Sequence, residues 1–415
     1  MTPDTPIKTV TTKLIGMGHG GSAIGKGKQS QAIFVPFGIP DETVKLDLIE
    51  EKRGFARAEL VEVLRPSPDR IDPLCKYYGT CGGCHFQHVA YERQLALKTA
   101  VVADQLKRIG NFKKVTIHPT LPNEAQWAYR TEIEMSPVEN GRLGFWSPIE
   151  KKVIPIEKCE IADPDLINLL NDIDLDLPGL RKLTLKIGED GEMLAALEVD
   201  DVEPPQLEAD FPISVSIILP NRSAALLVGD HFLVHEINGR EFHISSGCYQ
   251  PPSIDGFEKV IQTVLRYANL QGHETVLDLY SGVGLLTAFL SEQAKEVIGI
   301  ELNRDAVADA IANLDHTENV SLYQDRVATS LQSLEVQADL AIIHPSARGM
   351  SREAITAVSH KKLPKLITIS SDIAIMARDG KSLQKAGYRL LEVQPIDMQP
   401  QTYHIETVML WEYAR

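Results

Sequence analysis

From about residue 254 the chain alternates short β-branched runs with helical stretches, and few folds accept that alternation. "ETVLDLY", "EVIGIEL", "VSLYQ", "ADLAIIH" and "KLITIS" read as strands with helical patterns between them. Repetition of this kind predicts a doubly wound, mostly parallel sheet. The last two apolar runs, "YRLLEVQPID" and "YHIETVMLWEY", are separated by too little chain for a crossover helix. They are expected to pair antiparallel.

Ligands of an open α/β sheet sit at the carboxyl ends of its strands. Two such ends carry chemistry here. In "VLDLYSGVGLLTAFL" (276–290) a strand runs into a glycine turn and then a helix. The glycines let backbone approach a ligand closely. A dinucleotide site wants a third glycine, and Thr287 stands there instead. Glu301, 23 residues after Asp278, ends the next strand, where a carboxylate can accept from both ribose hydroxyls of an adenosine ligand. That combination fits S-adenosylmethionine better than NAD. The alternative is a tight strand–helix turn with an exposed glutamate. The second end is "LITISSDIAIMARD" (366–379), an apolar strand that stops at two serines and an aspartate.

Residues 5–64 are short β-rich runs broken by Gly, Pro and Asp, as in a small barrel of the oligonucleotide-binding kind. Its Lys13, Lys26, Lys28, Lys52, Arg53 and Arg57 suit either RNA or a solvated rim. "LRPSPDRIDPLC" (64–75) marks a boundary, and the helical spacing of 91–110 ends at Gly110. Residues 127–245 alternate strand-like segments with polar turns; "EDG" (189–191) reads as a hairpin, and "VEPPQLEAD" (202–210) as a loop. The expected domains are therefore 1–66, 67–245 and 246–415.

The net charge of −15 is uneven. Residues 1–150 hold 19 bases against 17 acids, whereas 160–211 hold 3 against 15. Bulk charge thus opposes phosphate, and a nucleic-acid binder needs local basic faces. The acidic stretch reads as a solvated surface. No apolar run is long enough for a membrane helix, and "MTPDTPIKTV" lacks the apolar core of a signal peptide. A cytoplasmic location without membrane partners is the expectation.

Three of the five cysteines, Cys75, Cys81 and Cys84, fall within ten residues as C-x5-C-x2-C, and Cys159 follows. Glycines in "TCGGC" permit backbone to fold around a metal or cluster. Spacing alone does not separate a four-thiolate zinc site from an iron–sulfur cluster. Cys248 reads as a core thiol.

Taken in order, the barrel with "FVPFGIPDETVKL", then "PSPDRIDPLCKYYGTCGGCHFQHVAYERQLALK", "YRTEIEM", "GRLGFW", "DLYSGVG" and "TYHIETVML" resemble one family. It is that of the RNA uridine-C5 methyltransferases, class I S-adenosylmethionine-dependent enzymes with an N-terminal TRAM barrel. The resemblance covers nearly the whole chain. It implies a multidomain protein: an OB-like TRAM barrel, a central α+β iron–sulfur domain, and a C-terminal Rossmann-like methyltransferase sheet. It further implies a [4Fe–4S] cluster on Cys75, Cys81, Cys84 and Cys159, and a structured rRNA or tRNA as partner. S-adenosylmethionine would lie on Gln250, Asp278, Tyr280, Gly282, Gly284, Glu301 and Asp325. Glu406 matches the family's proton-abstracting base.

The resemblance also exposes departures. Methylating uracil at carbon 5 needs a thiolate on carbon 6, because carbon 5 alone is too weakly nucleophilic. The family carries that cysteine in S-C-N-P-A-T-L-A-R-D. Here 370–379 read S-S-D-I-A-I-M-A-R-D, and Ser371 falls on the cysteine. The family's D-P-P-R-x-G is "HPSARG" (344–349), with His344 on the aspartate. Leu285 replaces a common asparagine, and "CYQPP" keeps Gln250 without the usual first aromatic. The losses lie on the uracil-reacting side. Two readings follow: an RNA methyltransferase with altered target chemistry, or an inactive RNA-binding pseudo-methyltransferase. A His344–Ser371 pair, with Asp372 as third member, would make a third, hydrolytic reading, but the chain has no G-x-S-x-G elbow.

Overall fold

The computed structural model describes residues 8–138, 142–173, 175, 177–200, 212–220 and 224–414. The loop expected at 202–210 lies outside them. Strands β1 (Lys8–Met17), β2 (Ala23–Lys26), β3 (Ala32–Val35), β4 (Thr43–Glu51) and β5 (Phe55–Arg65) close into a barrel in the order β1-β2-β3-β5-β4. Alternation sends Leu14, Val35, Val44, Leu46 and Ala56 inside, all without exposure. Of the barrel's basic residues, Lys13, Lys52 and Arg57 face Asp41 or Glu50 within ion-pair distance. The barrel is tied to the next segment by Glu42, a wholly buried carboxylate. It accepts from Arg70 Nε and Nη2 (2.6 and 2.7 Å) and from the backbone of Ile39 and Ser67.

The segment after the barrel feeds two different sheets. Helix α1 (Tyr91–Gln105) runs into a π-turn over Leu106–Gly110, and Asn111 then turns left-handed (φ 58°), so the expected stop at Gly110 holds. A short strand β6 (Thr116–Ile117) follows. Strands β7 (Glu132–Pro137), β8 (Leu143–Ser147) and β9 (Lys152–Pro155), helix α2 (Pro164–Asp172), and strands β10 (Leu180–Ile187), β11 (Met193–Val199), β12 (Ser214–Ile218) and β13 (Ala224–Val228) build the central unit. Its strand order is β13-β12-β11-β10-β7-β8-β9. The "EDG" hairpin forms as read, with Ile187 opposite Met193. Strands β14 (Phe232–Ile237) and β15 (Arg240–Ser245) make a separate hairpin.

The C-terminal sheet begins after helix α3 (Ile254–Ala268). It contains β16 (Thr275–Leu279), α4 (Leu285–Ser291), β17 (Glu296–Glu301), α5 (Arg304–Asn313), β18 (Val320–Gln324), α6 (Val327–Ser333), β19 (Leu340–Ile343), α7 (Arg352–Lys361), β20 (Lys365–Ser370), α8 (Ile373–Lys385), β21 (Tyr388–Ile396) and β22 (Glu406–Tyr413). The order is β18-β17-β16-β19-β20-β22-β21-β6. Strands β16 to β20 are parallel, and β22 runs antiparallel between β20 and β21. Strand order reverses at β16, so the crevice for a ligand opens between β16 and β19. No described helix is long and apolar enough to cross a membrane.

Two elements from the segment expected to be central are built into this sheet instead. β6 adds to its edge on β21, and Lys98 of α1 reaches Asp397 at 2.6 Å, both side chains fully buried. One apolar core runs from Leu14 of the barrel through Val101 of α1 and Leu106 of the π-turn to Met409 and Trp411 of β22.

Candidate active site

The turn after β16 is wound by three left-handed residues, Tyr280 (φ 67°), Gly282 (φ 57°) and Gly284 (φ 87°). A tyrosine in that conformation is uncommon and marks a constrained turn. A Cβ on Gly284 would meet Leu314 at 3.0 Å, so the helix packs where only glycine fits. Asp278, 1% exposed, accepts from Thr287 Oγ1 at 2.6 Å, while its Oδ1 has no partner. Burial pushes its carboxyl up to about 6. Thr287, which breaks the dinucleotide fingerprint, thus holds the buried acid in place.

Glu301 ends β17 and accepts from the backbone of Gly282 (3.1 Å), Leu302 (2.6 Å) and Asn303 (2.7 Å). These bonds fix the carboxylate beside the glycine turn and leave lone pairs for a diol. Asp325, after β18, accepts from Arg326 N and Ser330 Oγ. Gln250 lies elsewhere in its contacts: its Nε2 donates to Thr131 Oγ1 at 2.8 Å, and its buried Oε1 has no partner.

The other half of the crevice is made by β19, β20 and β22. His344 follows β19, its backbone N–H donating to Leu279 O, and its ring stands edge-on to Tyr249 at 6.2 Å. Burial lowers its pKa to about 4, so the imidazole is neutral. Ser370 closes β20 opposite Thr407, and its Oγ binds the backbone of Asp372. Ser371 is exposed, and among the described residues its hydroxyl makes no hydrogen bond. Glu406 opens β22 one residue before Thr407, so register places it across from the Ser371 strand end. It is 7% exposed with Oε1 unpartnered, and burial pushes its carboxyl up to about 8.

The hydrolytic triad is not assembled. Asp372 caps α8 by accepting from Ala374 N and Ile375 N, and the imidazole facing it is His19 of the barrel, at 3.5 Å. That bond to His19, against the opposing effect of burial, holds the Asp372 carboxyl below its usual range. Nothing in the sequence near 371 signals His19, which lies some 350 residues away in the chain and arrives only through barrel docking.

Cys75, Cys81, Cys84 and Cys159 line one cavity of about 200 Å³ with Arg130, Phe145 and Trp146. Gly82 packs against Trp146 O and Pro148, where a Cβ would stand under 3.0 Å away. Gly83 N donates to Cys81 Sγ, and Cys75 N to Gln87 Oε1. Burial, and after it the neighbouring thiolates, raises the Cys84 thiol to about 12; Cys81 and Cys159 rise as well. Among the described residues no three His, Cys, Asp or Glu side chains lie close enough to hold a metal ion. The spacing as it stands does not define a metal centre. Cys248 is buried, as read.

A parallel sheet with its glycine turn at the switch point, a strand-end acid beside it and a small N-terminal barrel define a methyltransferase-like multidomain protein. A family model for ribosomal RNA adenine dimethylases matches residues 257–352. An uncharacterized RNA methyltransferase of Nostoc sp. is 30% identical over 425 residues, covering 93% of this chain and 92% of that one. One from Caldanaerobacter subterraneus is 30% identical, covering 95% and 96%. The crystal structure of Pyrococcus abyssi tRNA (uracil-54, C5)-methyltransferase, in complex with S-adenosyl-L-homocysteine, shares the fold with a TM-score of 0.70 at 21% identity, covering 97% of this chain and all of that one. The chain belongs to the RNA methyltransferase family of these relatives.

Proposed function

We propose that this protein transfers a methyl group from S-adenosylmethionine to a structured RNA, an rRNA or a tRNA, at an atom other than carbon 5 of uracil. The observation that carries this reading is the pairing of an ordered glycine turn and strand-end acids with an acceptor side that holds Glu406, His344 and Ser371. The nearest cysteine in sequence to any of these strand ends, Cys248, is buried in the core.

Glu301 would hold the ribose diol, and the Tyr280–Gly284 turn would cradle the amino-acid portion. Asp278, Asp325 and Gln250 complete the set. Bound there, the cofactor supplies an electrophilic sulfonium methyl. A ring nitrogen or ribose hydroxyl of the RNA can attack it directly and has only a proton to lose. A carboxyl with a pKa of about 8 suits that transfer, so Glu406 takes the proton. Neutral His344 can accept a hydrogen bond and Ser371 can donate one. The barrel serves as a TRAM-type RNA-binding module. The second reading, a pseudo-methyltransferase that only binds RNA, is favoured by the Ser371 hydroxyl having no basic partner.

Cys75, Cys81, Cys84 and Cys159 would hold a [4Fe–4S] cluster. The donor chemistry fits: four thiols line one cavity, and once deprotonated they are soft ligands for iron. A zinc ion would need all four sulfurs about 2.3 Å from one point; a cluster takes one cysteine per iron and tolerates wider spacing. The group would supply structural bracing between Cys84 and Cys159. Anaerobically purified protein is expected to be brown, with Cys84→Ser colourless and lower in melting temperature. A colourless wild type with stoichiometric zinc excludes the cluster.

The function is tested by mass spectrometry of nucleosides from parent and deletion strains. One methylated nucleoside other than 5-methyluridine is expected to vanish in the deletion strain. If purified wild type makes 5-methyluridine readily, the assigned acceptor is wrong. If no nucleoside changes, the RNA-binding reading stands in its place.

A further inference from the structure

Beside the acceptor end of the sheet lies a group of rings that the mechanism above does not use. His19 comes from the β1–β2 turn of the barrel, His85 from the cysteine segment, and Tyr403 and His404 from the loop between β21 and β22. The Tyr403 ring is the centre: His404 lies 4.4 Å from it at 31°, His85 at 4.5 Å and 68°, and His19 at 6.3 Å and 74°. His19 is exposed and the other three are half-buried. The group adjoins Asp372 through His19, and its Tyr403 and His404 stand three and two residues before Glu406 in the chain.

We propose that His19, His85, Tyr403 and His404 form a nucleobase-stacking site for the RNA nucleotide next to the methyl acceptor. This rests on the RNA partner proposed above. An enzyme that modifies a nucleotide must splay it from its neighbours, and aromatic faces then hold the unstacked bases.

Three observations favour a base as occupant. First, the rings present flat faces around Tyr403, and burial lowers His404 to about 4, so its imidazole is neutral and offers a hydrogen-bonding edge rather than a phosphate clamp. Second, His85 Nδ1 is shielded from solvent and has no partner, an open valence that a base edge can fill. Third, the site is rigid before anything binds. The loop carrying Tyr403 is pinned by Lys98 to Asp397, by Arg130 to Gln399 Oε1 (2.8 Å), and by the N–H groups of His85 and Phe86 to Gln401 O. Gly21 seats the barrel turn against it so closely that a Cβ would lie 3.1 Å from Tyr403 Cβ and 3.3 Å from His85 Cβ. Preorganised faces of this kind lower the ordering cost of binding.

The test uses the full-length protein and total RNA from a deletion strain, in two measurements. Ultraviolet cross-linking followed by peptide mass spectrometry is expected to find nucleotide adducts on peptides containing Tyr403, His404, His85 or His19. In filter binding, Tyr403→Ala is expected to weaken RNA affinity about tenfold, the range of one lost base–aromatic stack. Tyr403→Phe keeps the ring and stays within about twofold of wild type. S-adenosylhomocysteine affinity, unchanged in both variants, reports that they are folded. Adducts confined to other parts of the chain, with Tyr403→Ala binding RNA as wild type does, would sink this site and leave the RNA partner standing. Wild type that neither cross-links nor retains RNA overturns the partner as well. The cross-link uses the native chain, so it decides even if Tyr403→Ala does not fold.

Discussion

Glu406→Gln is expected to remove the loss of stability that ionising this buried carboxyl causes towards pH 8, and to cut methyl transfer by roughly 10²–10⁴-fold, the usual contribution of a positioned acid–base group. Affinity for S-adenosylmethionine should not change, because the residues proposed to hold it belong to other strand ends. The sign of the stability effect follows from burial. In the unfolded chain the carboxyl titrates near its ordinary value of 4.5, and in the folded chain at about 8. Between these values the folded state binds the extra proton, so stability is full below 4.5 and falls as pH rises through about 8. Glutamine has nothing to ionise. Melting temperatures of wild type and Glu406→Gln should therefore diverge from pH 5 to 8, with the variant the more stable at the alkaline end. Parallel curves would show that Glu406 ionises freely in the fold, and would remove it as the base.

The second large effect is expected at Lys98. Its ammonium and the Asp397 carboxylate are 2.6 Å apart with no exposure on either side chain. Burial disfavours the charged lysine, and the aspartate beside it offsets that. Asp397 Oδ2 already lacks a partner. Lys98→Ala leaves this carboxylate buried and unpaired, which costs about 3–5 kcal/mol. Set against a total stability of roughly 5–15 kcal/mol, that is a large share. The pair Lys98→Met with Asp397→Leu removes both charges and should recover most of the loss. Urea titrations of the three proteins measure it; equal midpoints for wild type and Lys98→Ala would show that water reaches the pair. Because Asp397 begins the loop that leads to Glu406, Lys98→Ala should also loosen the acceptor site. The ion pair thus joins α1, from the segment after the barrel, to the catalytic sheet.

Local patterns explain why so much of the fold was legible. β-branched runs between helical stretches announced the parallel sheet, and the short link before "YHIETVMLWEY" announced an antiparallel strand. "EDG" made its hairpin because Gly191 sits at φ 78°, where other residues are strained. Asp278, Gly282 and Glu301, proposed to hold the cofactor, lie around one turn because a strand, its turn and the next strand are neighbours in sequence as well as in space. The Ser371–His344–Asp372 triad did not assemble for the opposite reason. Adjacent strand ends lie near each other, but side-chain direction is set by the pleat and the caps, and Asp372 was taken by α8 and His19. Motif order assigns Gln250 to the cofactor; the fold anchors its Nε2 on Thr131, a contact 119 residues away that no local pattern announces.

By itself the sequence determined which elements form and which residue types stand at the strand ends, since propensity, turn chemistry and the spacing of cysteines and glycines act over a few residues. Only the tertiary structure decided that β6 and α1 join the C-terminal sheet, that His19 of the barrel faces Asp372, and that rings from three segments gather around Tyr403. Those contacts join residues some 275 to 385 positions apart, and they exist because burying one continuous apolar core brings the barrel and the sheet together.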